Sequence, residues 1–331
     1  MLKKILFFRT DRIGDLIVNC PSIITIKNNF QNTEVSLVCS SKNITYAKSL
    51  NIFDHVYNFP KNNLIEKFNF IKMLSKKEFD YIFIFDGKDR SIISSIFIKS
   101  NYKIAFIAKK KFNFFYKITK IKYVNNDEKS NLNNLYQNIL ELSGIKKKIT
   151  NYDFLLNKKN NNFSLNLKTK NFILLHMDEK WIKDLYISKY KDVEPSYNEF
   201  TDFINEISKN DDLVITTGLI NFKLIENLKN NFFKKINNIL YIKKNGDKVI
   251  YLIFQPTFED LESLLRNSKA LISCHGAIIH AASSLNVKII DLVDENYKNW
   301  YQRYTSYIKN YNFVYRNKFS EIKDEMLNKI Y

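Results

Sequence analysis

Short apolar runs of strand character alternate with amphipathic stretches of helical period along the whole chain, and nothing else in the sequence constrains the fold as strongly. A chain written this way builds βαβ units, whose crossovers lay parallel strands side by side and cover both faces with helices. Strands are expected at 4–8, 34–38, 80–85 and 103–107 in the first half, with an amphipathic helix over 16–30. In the second half they are expected at 171–176, 212–217, 269–273 and 287–292, with helices at 197–209, 219–230, 258–267 and 276–285. At roughly 150 residues per domain, 331 residues make two such α/β domains. The polar stretch Asn157-Lys158-Lys159-Asn160-Asn161-Asn162 lacks the periodicity of a packed element, so the division is expected there, as 1–160 and 161–331.

Composition narrows the class. With 45% hydrophobic and 26% charged residues the chain is globular rather than disordered or fibrous. Three widely spaced cysteines, Cys20, Cys39 and Cys274, indicate neither a disulfide framework nor a zinc site, which fits a reducing, cytoplasmic setting. The apolar run that opens the chain is cut by Arg9 and reads as a first strand, and no run reaches the ~18 residues of a membrane span. A formal net charge of +18 invites anionic partners, although lysines scattered by codon usage would give the same total. Nucleic acid is not expected among those partners, because the basic residues form no stripe interleaved with aromatics. Lys109-Lys110-Lys111-Phe112 is the only lysine triplet that runs into an aromatic.

Four of the six glycines, Gly14, Gly87, Gly218 and Gly276, follow expected strands, at the edge where α/β sheets hold their ligands. No dinucleotide or P-loop fingerprint accompanies them. Three strand-to-helix turns gather chemistry. The first, Arg9-Thr10-Asp11-Arg12-Ile13-Gly14-Asp15, concentrates two guanidiniums and two carboxylates; Asp15 either caps the helix or acts as a general base. In the second, Cys274-His275-Gly276-Ala277 with His280 one turn on, a helix N-terminus suits a phosphate, and His280 is either a core histidine or part of that site. His275 and His280 are five apart and diverge, so zinc is not supported. The third, His176 to Trp181, offers Lys180 as a flexible phosphate-reaching charge. No Asp-x-Asp occurs, so no pair of carboxylates is available to clamp a metal on a diphosphate, and no metal or cofactor is expected.

Taken together these motifs resemble the ADP-heptose:lipopolysaccharide heptosyltransferase family, glycosyltransferase family 9. The resemblance rests on Arg9-x-Asp11-x-Ile13-Gly14-Asp15 with Pro21 and Glu34–Val38, on the strand Phe79–Gly87, on Lys180-Trp181, on Thr217-Gly218, and on Gly276 with His280. It implies a GT-B architecture of two Rossmann-like, doubly wound domains facing a cleft, with acceptor held by the N-terminal half and nucleotide-sugar donor by the C-terminal half. It implies inverting, metal-independent transfer of a heptose or related sugar from an ADP-linked donor to a lipopolysaccharide-core or other surface-glycan acceptor, with peripheral contact at the inner face of the cytoplasmic membrane. Carried over by position, Asp15 is the base. Gly14, Lys180, Thr217, Gly218, His275, Gly276, Ala277 and His280 serve the donor, and Arg9, Asp11 and Arg12 the acceptor side. Two departures fall in the donor half: Cys274-His275-Gly276-Ala277 stands where the family has Asp-Ser/Thr-Gly-Pro, and Val293-Asp294-Glu295-Asn296 where it has Phe-Gly-Pro-Thr. The other functions considered are a nucleotide-sugar epimerase and a non-catalytic nucleotide-sugar-binding module of the same fold.

Overall fold

The computed structural model describes residues 2–107, 116, 119–125, 127, 130–158, 167 and 169–331. The chain divides into two compact units: Met1–Phe154 with Gln302–Tyr307, and Leu155–Tyr301 with Ile308–Tyr331. Most of the linker stretch, residues 159–162, and the lysine cluster at 109–112 lie outside the described residues; Asn157 closes a short 3₁₀ turn, Phe154–Asn157.

The first unit is a six-stranded parallel sheet of β1 (Lys3–Phe8), β2 (Thr33–Cys39), β3 (His55–Asn58), β4 (Glu78–Ile84), β5 (Lys99–Ile107) and β6 (Lys122–Asn125), in the order β3-β2-β1-β4-β5-β6. Strands buried on both faces need apolar residues at every position, which is why β1 reads as an unbroken apolar run over its buried part, Ile5–Phe8. Leu6, Phe8, Ile82 and Ile84 join one core with Leu74 and Ile92, from the helices Leu64–Ser75 and Asp89–Ile96. Alternate residues Phe7, Tyr81, Phe83 and Phe85 stack as a ladder, its ring centroids 5.3 to 5.9 Å apart, and Phe85 meets Tyr136 of the helix Leu132–Leu142 edge-on.

The second unit carries β7 (Phe172–Met177), β8 (Leu213–Thr217), β9 (Lys234–Lys235), β10 (Leu240–Asn245), β11 (Lys248–Ile253), β12 (Ser268–Cys274), β13 (Lys288–Val293) and β14 (Tyr311–Tyr315). Their order is β14-β13-β12-β7-β8-β11-β10-β9, parallel except where β10 pairs antiparallel with β11 and β9. Gly246, at φ 63°, supplies the left-handed residue of the two-residue turn joining β10 to β11. Trp181, Phe200, Phe203 and Phe319 anchor its core.

Among the parallel strands of each unit the order reverses once, between β1 and β4 in the first and between β7 and β12 in the second. Ligands of doubly wound sheets bind outside the carboxyl ends of the strands at that reversal, because the helices there diverge to opposite faces. The two richest turns of the sequence follow β1 and β12, and the Asp178–Trp181 turn follows β7.

Candidate functional site

In the first unit the turn after β1 is organised by one buried cation. Arg9 donates through Nη1 to the Phe85 carbonyl (2.5 Å) and through Nε to the Asp15 carbonyl (3.1 Å). Its guanidinium also lies 3.2 Å from Asp11 Oδ1 and 3.3 Å from Asp15 Oδ1. Burial works against the charge on Arg9, yet the carboxylates of Asp11, Asp15 and Asp86 outweigh it and hold its pKa above the ordinary value. Burial in turn raises the Asp11 carboxyl, with Asp15 and Asp86 adding to the effect and Arg9 opposing it.

Asp15 is the third residue of the helix Ile13–Lys27 and accepts from the backbone N–H of Arg12 at 3.2 Å, so it does complete the helix start. About a third of its side chain stays exposed, which leaves carboxylate surface for a ligand. Gly14 is the second residue of that helix, and Arg12, before it, is exposed.

Three groups here escaped the sequence reading. Asp86, just after β4, accepts from the Thr10 hydroxyl (2.6 Å), the Thr10 N–H (3.2 Å) and the Ser91 hydroxyl (2.7 Å). Arg90 donates to the Thr10 carbonyl at 2.9 Å and lies over the Phe59 ring. Tyr304 comes from the segment Gln302–Tyr307 that packs with this unit; its hydroxyl pKa is raised first by burial and then by the Asp15 carboxylate. Asp86 had a signal in the Asp-Gly that closes its strand, whereas Tyr304 had none.

In the second unit Asp178, Lys180 and Gly276 converge. The Lys180 ammonium pairs with Asp178, whose other carboxylate oxygen accepts from the Lys180 N–H at 3.1 Å. A Cβ on Gly276 would stand 3.0 Å from Lys180 Nζ, so the missing side chain is what admits the ammonium to the N-terminus of the helix Ala277–Ser284. Gly218 is needed more strictly, since a Cβ there would meet the Asp178 Cβ at 2.9 Å and its Cα at 3.0 Å. Its N–H donates to the Met177 carbonyl, while the Thr217 hydroxyl accepts from Gln255 N–H, each at 2.8 Å. Lys180, Thr217, Gly218, Gly276 and Ala277 therefore share one sheet edge.

His275 belongs to a small relay. Its Nδ1 lies 2.6 Å from Asp291 Oδ2, which also accepts from the Tyr311 hydroxyl at 2.8 Å, and Asp291 is fully buried on β13. A carboxylate accepts from Nδ1–H in this pair, so Nε2 can donate to a phosphate only when the ring carries a second proton. Tyr301, His280 and Trp300 surround the ring with centroids at 4.9, 5.5 and 5.7 Å. Arg316, also missed, fastens the edge from behind by donating to the Lys180 carbonyl (2.8 Å), the Lys191 carbonyl (3.0 Å) and the Cys274 sulfur (3.1 Å).

His176 and His280 are both buried, and burial pushes each down to about 3, with Lys180 adding to the effect on His176 and His275 to that on His280. Both stay neutral at physiological pH, so His280 can offer a phosphate a hydrogen bond but no charge. A folded-state pKa below the unfolded value of 6.5 makes stability full above about pH 6.5 and lost as pH falls towards 3, because only the unfolded chain takes up the proton. Between pH 7 and about 5.5 each histidine should cost the second unit about 1 kcal/mol. Urea unfolding at the two pH values checks this, and replacing His176 by Gln should remove about half of the difference.

Among the described residues no three His, Cys, Asp or Glu side chains gather as a metal-holding group, and no helix is long and apolar enough to cross a membrane.

Neither a protein-family model nor a curated protein matches the sequence. Solved structures do. A glycosyl transferase of family 9 from Veillonella parvula DSM 2008 superposes with a TM-score of 0.68 at 12% identity, over 98% of this chain and 91% of that one. The E. coli heptosyltransferase WaaC with ADP-2-deoxy-2-fluoro heptose gives 0.67 at 11%, over 98% and 99%. A UDP-GlcNAc 2-epimerase from Methanocaldococcus jannaschii gives 0.56 at 15%, over 100% and 92%. The chain has the GT-B fold. At these identities the likeness is one of fold, and the GT-B fold serves both transfer and epimerisation, so the chemistry has to be argued from the residues. The expected pair of Rossmann-like, doubly wound sheets is what the two strand orders form.

Proposed function

We propose that this chain is an inverting, metal-independent glycosyltransferase that moves a heptose or related sugar from an ADP-linked donor to a lipopolysaccharide-core or other surface-glycan acceptor. The observation that carries the reading is Asp15, a partly exposed carboxylate at the strand reversal of the first unit, aimed by the Arg12 N–H and by Arg9. Asp15 removes the proton of the acceptor hydroxyl as that oxygen attacks the anomeric carbon, and the bond from that carbon to the diphosphate oxygen breaks with inversion. Arg9, Asp11 and Arg12 shape the acceptor side, with Gly14 keeping the backbone beside the base uncovered. The departing diphosphate is met by Lys180, by the N-terminus of the helix Ala277–Ser284 and by His275, with Thr217, Gly218 and His280 lining the donor. Positively charged groups and a helix N-terminus replace a divalent cation in that task. On this reading, residues 161–331 hold the donor, residues 1–160 hold the acceptor, and the enzyme works on the cytoplasmic side of the membrane.

A thermal-shift series with ADP, GDP, UDP and CMP tests the donor class, since the bound nucleotide stabilises the folded chain by mass action. ADP should give the largest shift. His275→Ala should weaken ADP binding by about 1 to 3 kcal/mol, the scale of a lost charge-assisted hydrogen bond, and His275→Ser should recover part of it. Equal calorimetric affinities in all three proteins would remove His275 from the donor site. Conversion of a free nucleotide sugar with no acceptor present would favour the epimerase chemistry of the M. jannaschii neighbour instead.

A further inference from the structure

The helix Leu64–Ser75 is apolar on the side where a surface helix should be polar. Its inner face is satisfied: Leu74 is buried, and Phe70 packs edge-on against Phe59 and Tyr57 at 5.6 and 6.4 Å. At 100° per residue Ile65, Phe68 and Lys72 point away from that face, with Leu64 and Met73 flanking them. Leu64 is 78%, Ile65 70% and Phe68 66% exposed. Ile93 and Phe97, on and after the helix Asp89–Ile96 that shares this core, are exposed as well. Exposed apolar side chains gathered on one helix face mark an interaction site, because leaving them in water costs stability.

Its surroundings select the occupant. From residue 61 to 77 the exposed charged residues are Lys61, Lys72 and Lys76 against Glu66 alone, while Lys67 and Lys77 are half-buried and Lys77 donates to the Tyr57 hydroxyl. A second copy of the same face would set lysines against lysines, which is repulsive. An anionic lipid surface meets both properties, with acyl chains receiving Leu64, Ile65 and Phe68 and headgroups receiving the lysines. We infer that the helix Leu64–Ser75 is a membrane-docking element that lies in the headgroup region of an anionic bilayer. The inference gives peripheral membrane contact a specific surface and does not depend on which reaction the chain catalyses.

Co-sedimentation of the full chain with phosphatidylglycerol-containing vesicles and with pure phosphatidylcholine vesicles tests it. Binding should be confined to the anionic vesicles and weaken as salt rises. The double variant Ile65→Ser, Phe68→Ser should lose at least about tenfold in partitioning, since the removed side chains are those that insert. Lys61→Gln with Lys72→Gln should lose severalfold, and Ile236→Ser, an exposed apolar residue of the second unit, should change nothing. All these positions are exposed, so the variants should keep the wild-type melting temperature. Absence of binding to anionic vesicles, or equal binding by the double variant, overturns the proposal. Self-association by sedimentation velocity that the double variant abolishes would also overturn it, in favour of a second copy.

Discussion

Asp15→Asn should lower turnover by about 10²-fold or more while leaving the fold and ADP affinity in place. Asparagine has the same shape, and its side-chain oxygen can still accept from the Arg12 N–H, so the helix start survives. Arg9 keeps the Phe85 carbonyl and Asp11, which limits the structural cost of the lost charge to about 1 kcal/mol at a site one-third exposed. What the amide cannot do is take a proton. Of the two roles that the sequence leaves open for Asp15, the helix-start contact is present, and this variant separates it from the proposed role as base because only the latter depends on basicity. Full turnover with an unchanged melting temperature would leave Asp15 as a helix-start residue.

Arg9→Leu should be the most destabilising single change in the first unit, at about 3 to 5 kcal/mol, the cost of stranding buried charges by removing their partner. The Phe85 carbonyl would lose its donor, and Asp11 would face Asp15 and Asp86 without a cation. The sign of the pH dependence distinguishes this from simple loss of packing. In the variant the Asp11 carboxyl should rise further, so the folded state would bind a proton more tightly than the unfolded one, and the deficit should shrink as pH falls from 7 to 5. Thermal melts across that range, compared with wild type, measure it. A deficit that is constant or grows with acid would mean that Arg9 acts through packing alone. Arg9→Lys should recover the charge without the multiple hydrogen bonds, giving an intermediate loss.

The parts of this fold that could be read in advance are those whose residues face apolar surroundings on both sides. β1, β4, β7, β8 and β12 carry buried apolar runs at Ile5–Phe8, Ile82–Ile84, Phe172–Leu175, Leu213–Ile215 and Ala270–Ile272, because parallel strands under two helical layers have no wet face there. The hairpin of β10 and β11 was missed because the last residues of β10 are lysines and an asparagine near the sheet edge, although Gly246-Asp247 marks its turn. The helix Leu64–Ser75 hid for a related reason, since apolar residues on both its faces blur the 3.6-residue period.

The candidate site was legible where consecutive residues carry it, as from Arg9 to Asp15 and from Cys274 to Ala277. Long-range partners left weaker traces. Asp291 interrupts an apolar strand, which is a sign of a buried partner, but nothing local names His275 as that partner. Arg316 and Tyr304 reach their clusters from more than a hundred residues away, where only the three-dimensional fold can bring them.

Sugar transfer to an acceptor without metal is the activity proposed for this chain. The direct measurement incubates the chain with ADP-heptose and a heptose-free lipopolysaccharide core in EDTA, following ADP release and acceptor mass together. One heptosyl residue should be added per ADP released, at a rate that added Mg²⁺ does not change. ADP release or sugar conversion with no gain in acceptor mass, or strict dependence on Mg²⁺, would contradict it.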